Sequence, residues 1–152
     1  MVLSALGLRV LSFPPAVFQQ IGRDGSRMPE VDGPQTREGS LNAAIANAVV
    51  RLMREYTGRG ATEARASVSG DLVSVLLKDT LTKGERSLVS DGRAETVLSM
   101  RREFQRTMRE DLVAAVEMLT ERKVIAFMSD NHIDPDMAVE SFVLAPEAES
   151  AG

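Results

Sequence analysis

The 152-residue chain contains no cysteine, no tryptophan and a single histidine, His132. The missing cysteines exclude disulfides, zinc–thiolate sites and a thiol nucleophile, and they fit a reducing cytoplasm. Aromatic residues are scarce, at 4 %, so no run of stacking side chains exists to hold single-stranded nucleic acid. Excess positive charge is also absent. The formal net charge is −4, which removes the general electrostatic footprint of a nucleic-acid-binding protein. No apolar run approaches the roughly 20 residues that a membrane-spanning helix needs, so direct membrane insertion is not expected.

Residues 1–38 contain Pro14, Pro15, Pro29 and Pro34 and show no lasting periodicity. They read as a disordered or poorly ordered leader. The apolar start "MVLSALGLRVLSFPPAVF" lacks the cation placement and small-residue cleavage site of a signal peptide. Residues 39–146 read as one domain, and 147–152 as a short C-terminal tail. Ser40 is a candidate N-cap, and Leu41, Ile45, Val49, Leu52 and Tyr56 follow at helical spacing. Gly58 suits a left-handed helix end.

Ala64, Ala66 and Val68 then alternate with Arg65 and Ser67, and Leu72–Leu77 forms a second run beyond Ser69-Gly70-Asp71. Two short strands around a glycine turn predict a hairpin. Thr82 and Glu85 are spaced as a capping box for a helix that breaks near Asp91-Gly92. A long helix is expected from about Arg93 to Glu121, with Val97, Met100, Phe104, Met108, Leu112, Ala115 and Leu119 on one stripe. Leu98, Val113 and Val116 widen that stripe beyond one contact, which suggests a second chain and hence a homodimer.

"RKVIAFMSD" and "DMAVESFVL" complete the pattern as strands. Both faces of the first are apolar, so it is expected to be covered on both sides. The order α-β-β-α-α-β-β predicts a single α+β domain, an antiparallel sheet of about four strands packed with an N-terminal and a long central helix.

Several of these segments, in order, resemble one bacterial family. They are "LNAAIANAVVRLMREYTGRGATEARA", "LTKGERSLVSDGR" and "MRREFQRTMREDLVAAVEMLTERKVIAFMSDNHIDPDMAVESFVL". Together they are similar to the MpsC family over roughly residues 40–146. The resemblance implies a small cytoplasmic component of a Na+-translocating, membrane-potential-generating system, associated with a membrane complex that moves ions or inorganic carbon. It implies an accessory or regulatory role in contact with a membrane transport protein, and brings no catalytic residues with it. One departure is Glu121, which stands where the family pattern has glycine before Arg122-Lys123.

Two clusters are candidates for chemistry. Asp130, His132, Asp134 and Asp136 lie within seven residues. A turn, with Asp134-Pro135 opening it as type I, is the leading reading. A partner or small-ligand contact and a divalent metal remain beside it, but an EF-hand is excluded because Pro135 and Ser141 replace its glycine and glutamate. A metal-dependent enzyme centred on His132 would need those carboxylates to converge.

The second cluster is Arg102, Arg106 and Arg109, one basic stripe of the long helix that could grip an anion. Its competing reading is a solvated face in which Arg106 pairs with Glu110. Arg101 and Asp111 fall toward the apolar side of the same helix, where a charge needs a partner. An anion sensor would combine the arginine stripe with the 130–136 loop. No catalytic residue, metal or cofactor is assigned.

Overall fold

The computed structural model describes residues 34–147. Its elements are α1 (Pro34–Thr57), β1 (Glu63–Ser69), β2 (Leu72–Lys78), α2 (Lys83–Ser90), α3 (Ala94–Thr120), β3 (Val124–His132) and β4 (Met137–Leu144). This is the expected α+β order. The leader lies outside the described residues except for 34–38, which are helical. α1 therefore starts before Ser40, which sits inside the helix and does not cap it. Pro34 takes the first helical position, where its missing N–H loses no intrahelical bond.

The four strands form one antiparallel sheet in the order β1-β2-β4-β3. β1 and β2 meet through Gly70-Asp71, with Gly70 at φ 58°. α2 and α3 then carry the chain past an open slot, which β4 fills between β2 and β3. The inner face follows from alternation. Val73, Val75 and Leu77 of β2, and Ala138, Phe142 and Leu144 of β4, are buried with Ile45, Val49 and Leu52 of α1 and Met108, Leu112 and Val116 of α3. Each fully buried side chain of this size contributes about 1.5–3 kcal/mol.

Two expectations are corrected here. The extra width of the α3 stripe is taken up within the chain, with Val113 beside Val124 and Phe127 of β3 and Val116 in the core, so it does not call for a second chain. Met100, at the edge of that stripe, is 37 % exposed. And β3 is an edge strand covered on one side only, with Ile125 65 % and Met128 54 % exposed. A bulge at Ile125 resets the alternation, because Val124 pairs with Leu144 and Ala126 with Val143. Val124 and Phe127 consequently both face the helices, and the Phe127 ring lies 5.0 Å from that of Phe142.

α2 begins with the expected capping box, the Thr82 side chain accepting from Glu85 N–H and the Glu85 carboxylate accepting from Thr82 N–H. Gly58, at φ 78°, ends α1 by donating its N–H to the Arg54 carbonyl. Glu121 closes α3 in the left-handed region at φ 56°.

Candidate functional site

Arg101 is 8 % exposed on the inner side of α3. Its Nε and Nη2 donate to the two oxygens of Glu85 at 3.0 and 2.8 Å. Nη1 donates to Thr80 Oγ1 and Asn131 Oδ1, and Nη2 also donates to the Thr80 carbonyl. A guanidinium has five N–H groups, and all five are used. The competing reading of Arg101 as a buried structural pair therefore fits the geometry, since no donor is left over for a ligand.

Asp136 joins the same network. Its Oδ1 accepts from the Thr80 N–H and hydroxyl, and its Oδ2 from Leu81 N–H. One chain of bonds thus ties the β3–β4 turn, the β2–α2 connection, α2 and α3 together. Burial pushes the Glu85 carboxyl up, but the bonds from Arg101 and Thr82 outweigh it and hold the group below its ordinary value.

Glu140 is the buried charge that the sequence reading passed over. It is 1 % exposed on the inner face of β4, and its Oε2 has no hydrogen-bond partner. Burial pushes its carboxyl up to about 7, against the nearby Ser129 hydroxyl and Arg101 guanidinium, which favour ionisation. It borders a cavity of about 20 Å³ whose walls include Arg101, Glu85, Gln105 and Asn131. That is the space of one water molecule. The signal was present in the sequence: in "MAVESFVL", Glu140 falls on the alternate positions of Ala138, Phe142 and Leu144.

The 130–136 cluster does not converge. Asp130 and His132 lie on the outer sheet face, opposite the helices, because their cross-strand neighbours are Val139 and Met137. His132 Nδ1 lies 2.8 Å from the Pro135 carbonyl, and Asp130 Oδ1 accepts from Asn131 N–H. Asp134 is exposed in the turn, while Asp136 is committed to Thr80 and Leu81. The Asp134–Pro135 peptide is cis. Among the described residues no group of three or more His, Asp or Glu side chains is placed to hold a metal ion.

The arginine stripe does define a concavity. Arg102, Arg106, Arg109 and Gln105 of α3 face Phe127 and Ser129 of β3 across a cleft of about 190 Å³. The Ser129 hydroxyl is buried there beside its cross-strand neighbour Glu140. Arg106 pairs with Glu103 at 2.6 Å, not with Glu110 as expected. Asp111 accepts from the Tyr56 hydroxyl at 2.6 Å. The cleft opens on the helix side of β3, so the stripe and the Asp130–His132 pair lie on opposite faces of the sheet and do not form one site.

Arg122 is a second residue that sequence reasoning missed. It donates to the Gly70 carbonyl, to the Asp71 carboxylate and to the Ala145 carbonyl, and so binds the first hairpin to both ends of the β3–β4 unit. Its only sequence signal was its place beside the helix end.

Among the described residues no helix covers the outer sheet face. Leu72, Leu76, Met128 and Val139 are exposed on it, at 44, 38, 54 and 36 %. No helix among the described residues is long and apolar enough to cross a membrane.

Residues 37–146 match the family model described as "Na+-translocating membrane potential-generating system (MpsC)", and the chain belongs to that family. No curated protein and no solved structure matches it.

Proposed function

We propose that the chain is a non-enzymatic accessory or regulatory subunit. In this reading it works on the cytoplasmic side of a membrane-potential-generating system, as a homodimer in contact with a membrane transport protein. The observation that carries the reading is the exposure of Leu72, Leu76, Met128 and Val139 on the outer sheet face, since exposed apolar side chains grouped on one face mark contact surfaces. Family membership supplies the context. The polar interior supports it from the other side. Two of the eight candidate site residues, Arg101 and Asp136, are consumed by internal bonds.

The test is affinity purification of the tagged full-length chain from detergent-solubilised host membranes. A stoichiometric companion with several membrane spans is the expected result. Recovery of the chain without any such companion would overturn the reading.

A second reading is favoured by the α3–β3 cleft alone. Three arginines converging on one cleft suit a small oxyanion such as phosphate or bicarbonate. Thermal-shift titrations with both anions, repeated on Arg102→Ala and Arg109→Ala, decide it. A shift in the native chain that both substitutions abolish supports anion sensing, and equal responses from all three proteins dismiss it.

A further inference from the structure

We infer that the outer sheet face packs against the same face of a second copy, about a two-fold axis running along the strands between β2 and β4. The inference rests on the reading that the chain acts through protein contacts, and names the occupant of its uncovered face.

The strand registers arrange that face in four rows. At one end Glu63, Lys78, Met137 and His132 lie side by side, and the next row is Arg65, Leu76, Val139 and Asp130. Then come Ser67, Ser74, Ser141 and Met128, and finally Ser69, Leu72, Val143 and Ala126. Charge is therefore confined to two rows and is split between the edges. Arg65, with Lys78, makes the β1–β2 edge net positive even after Glu63 is counted, and Asp130 makes the β3 edge negative.

A two-fold axis along the strands keeps each row in place and reverses its order. β1 then lies over β3 of the second copy, and β2 over β4. Arg65 comes to face Asp130 of the second copy, and Asp130 faces its Arg65, so symmetry makes the pair twice. In the same row Leu76 meets Val139, where an open depression of about 210 Å³ is bordered by Leu76, Val139, Asp130 and His132. In the outermost row Leu72 meets Val143, and in the serine row Ser74 meets Ser141. An axis across the strands would instead lay Arg65 over Ser67 and Asp130 over Met128, so neither would meet an opposite charge, whereas Lys78 lies over an apolar residue about either axis and keeps its own pair with Glu63. Burying unpaired charge on apolar surface is unfavourable, so the charge pattern selects the axis along the strands. Aligned packing of two sheets at about −30° is compatible with it.

Size is consistent as well. Four strands of seven residues span about 19 by 23 Å. Two such faces remove on the order of 1,000 Å² from water, the lower end of specific interfaces. A dimer that dissociates in the micromolar range is expected.

The test is sedimentation equilibrium of the purified full chain, with Arg65→Asp, Asp130→Arg and the double reversal. Both side chains are solvent-exposed in the single chain, so the variants keep the fold, which a thermal melt verifies. The native chain should dimerise. Each single reversal should weaken dimerisation about tenfold by setting like charges together, and the double reversal should restore it. A native chain that stays monomeric at hundreds of micromolar overturns the inference, while co-purification with a membrane companion would still stand. A dimer that ignores the reversals, or single defects that the double reversal does not repair, overturns this geometry.

Discussion

Glu140 combines three properties that rarely occur together: a central strand position, almost complete burial and an oxygen without a partner. The carboxyl that burial holds up to about 7 would titrate near 4.5 in an unfolded chain. The folded state therefore binds the proton more tightly, and its advantage is complete below about pH 4.5 and lost as pH rises toward 7. Above that, the folded chain holds a buried carboxylate. Glu140→Gln keeps the shape without the charge. It should leave stability near pH 5 little changed and raise it by about 1–2 kcal/mol at pH 8, part of the roughly 3 kcal/mol that such a shift represents. Urea denaturation of both proteins at the two pH values checks this. A loss of stability at pH 8 in place of the gain would mean that the carboxylate has a partner as an anion.

At the scale of the elements, the ends of the helices carry the test. Glu121 holds α3's left-handed end with a side chain where glycine is the usual residue. Glu121→Gly should stabilise the domain by about 1 kcal/mol, since a non-glycine residue in this region costs about that much. Gly58→Ala, at φ 78°, should cost a similar amount. Opposite shifts of a few degrees in Tm are the expected readout. α2 is held to α3 by the Glu85–Arg101 pair, so Glu85→Ala and Arg101→Ala should each cost about 3–5 kcal/mol, the penalty of stranding a buried charge. The double variant should lose far less than the sum.

The elements themselves were legible because α1, α3 and the first hairpin repeat at clean periods and their caps are local. The Thr82–Glu85 box and the Gly58 end needed only neighbouring residues. The start of α1 was misjudged because Ser40 has a capping side chain, although Pro34 also fits a first turn. What stayed hidden was non-local. No spacing within the chain says that β4 enters between β2 and β3, that a bulge turns Ile125 outward, or that β3 lies against the spare width of α3. The surroundings of the 130–136 residues stayed hidden for the same reason. Asp130, His132, Asp134 and Asp136 are neighbours in sequence, yet strand alternation and the turn send them to three different environments. Asp136's true partner, Thr80, is 56 residues away.

In the whole molecule, the two buried acids act in opposite directions on one network around Arg101. Glu85 is held below its ordinary value, so its contribution is present above about pH 4.5 and disappears as pH falls through its lower folded value. Glu140 contributes in reverse, with its share lost between about 4.5 and 7. Glu117, lowered by the bond from Val124 N–H, adds to the acid-side loss. The sum is a stability curve that peaks near pH 4.5, where the loss from Glu85 and Glu117 ends and the loss from Glu140 begins, and falls on both sides. Thermal melts of the full chain from pH 3 to 9 should trace that dome. Glu140→Gln should flatten only its alkaline limb, and Glu85→Gln, which weakens the Arg101 pair without removing the side chain, should flatten only the acid limb. If both substitutions changed the same limb, the two carboxyls would be titrating as one coupled group through Arg101 and the separate assignments would fail.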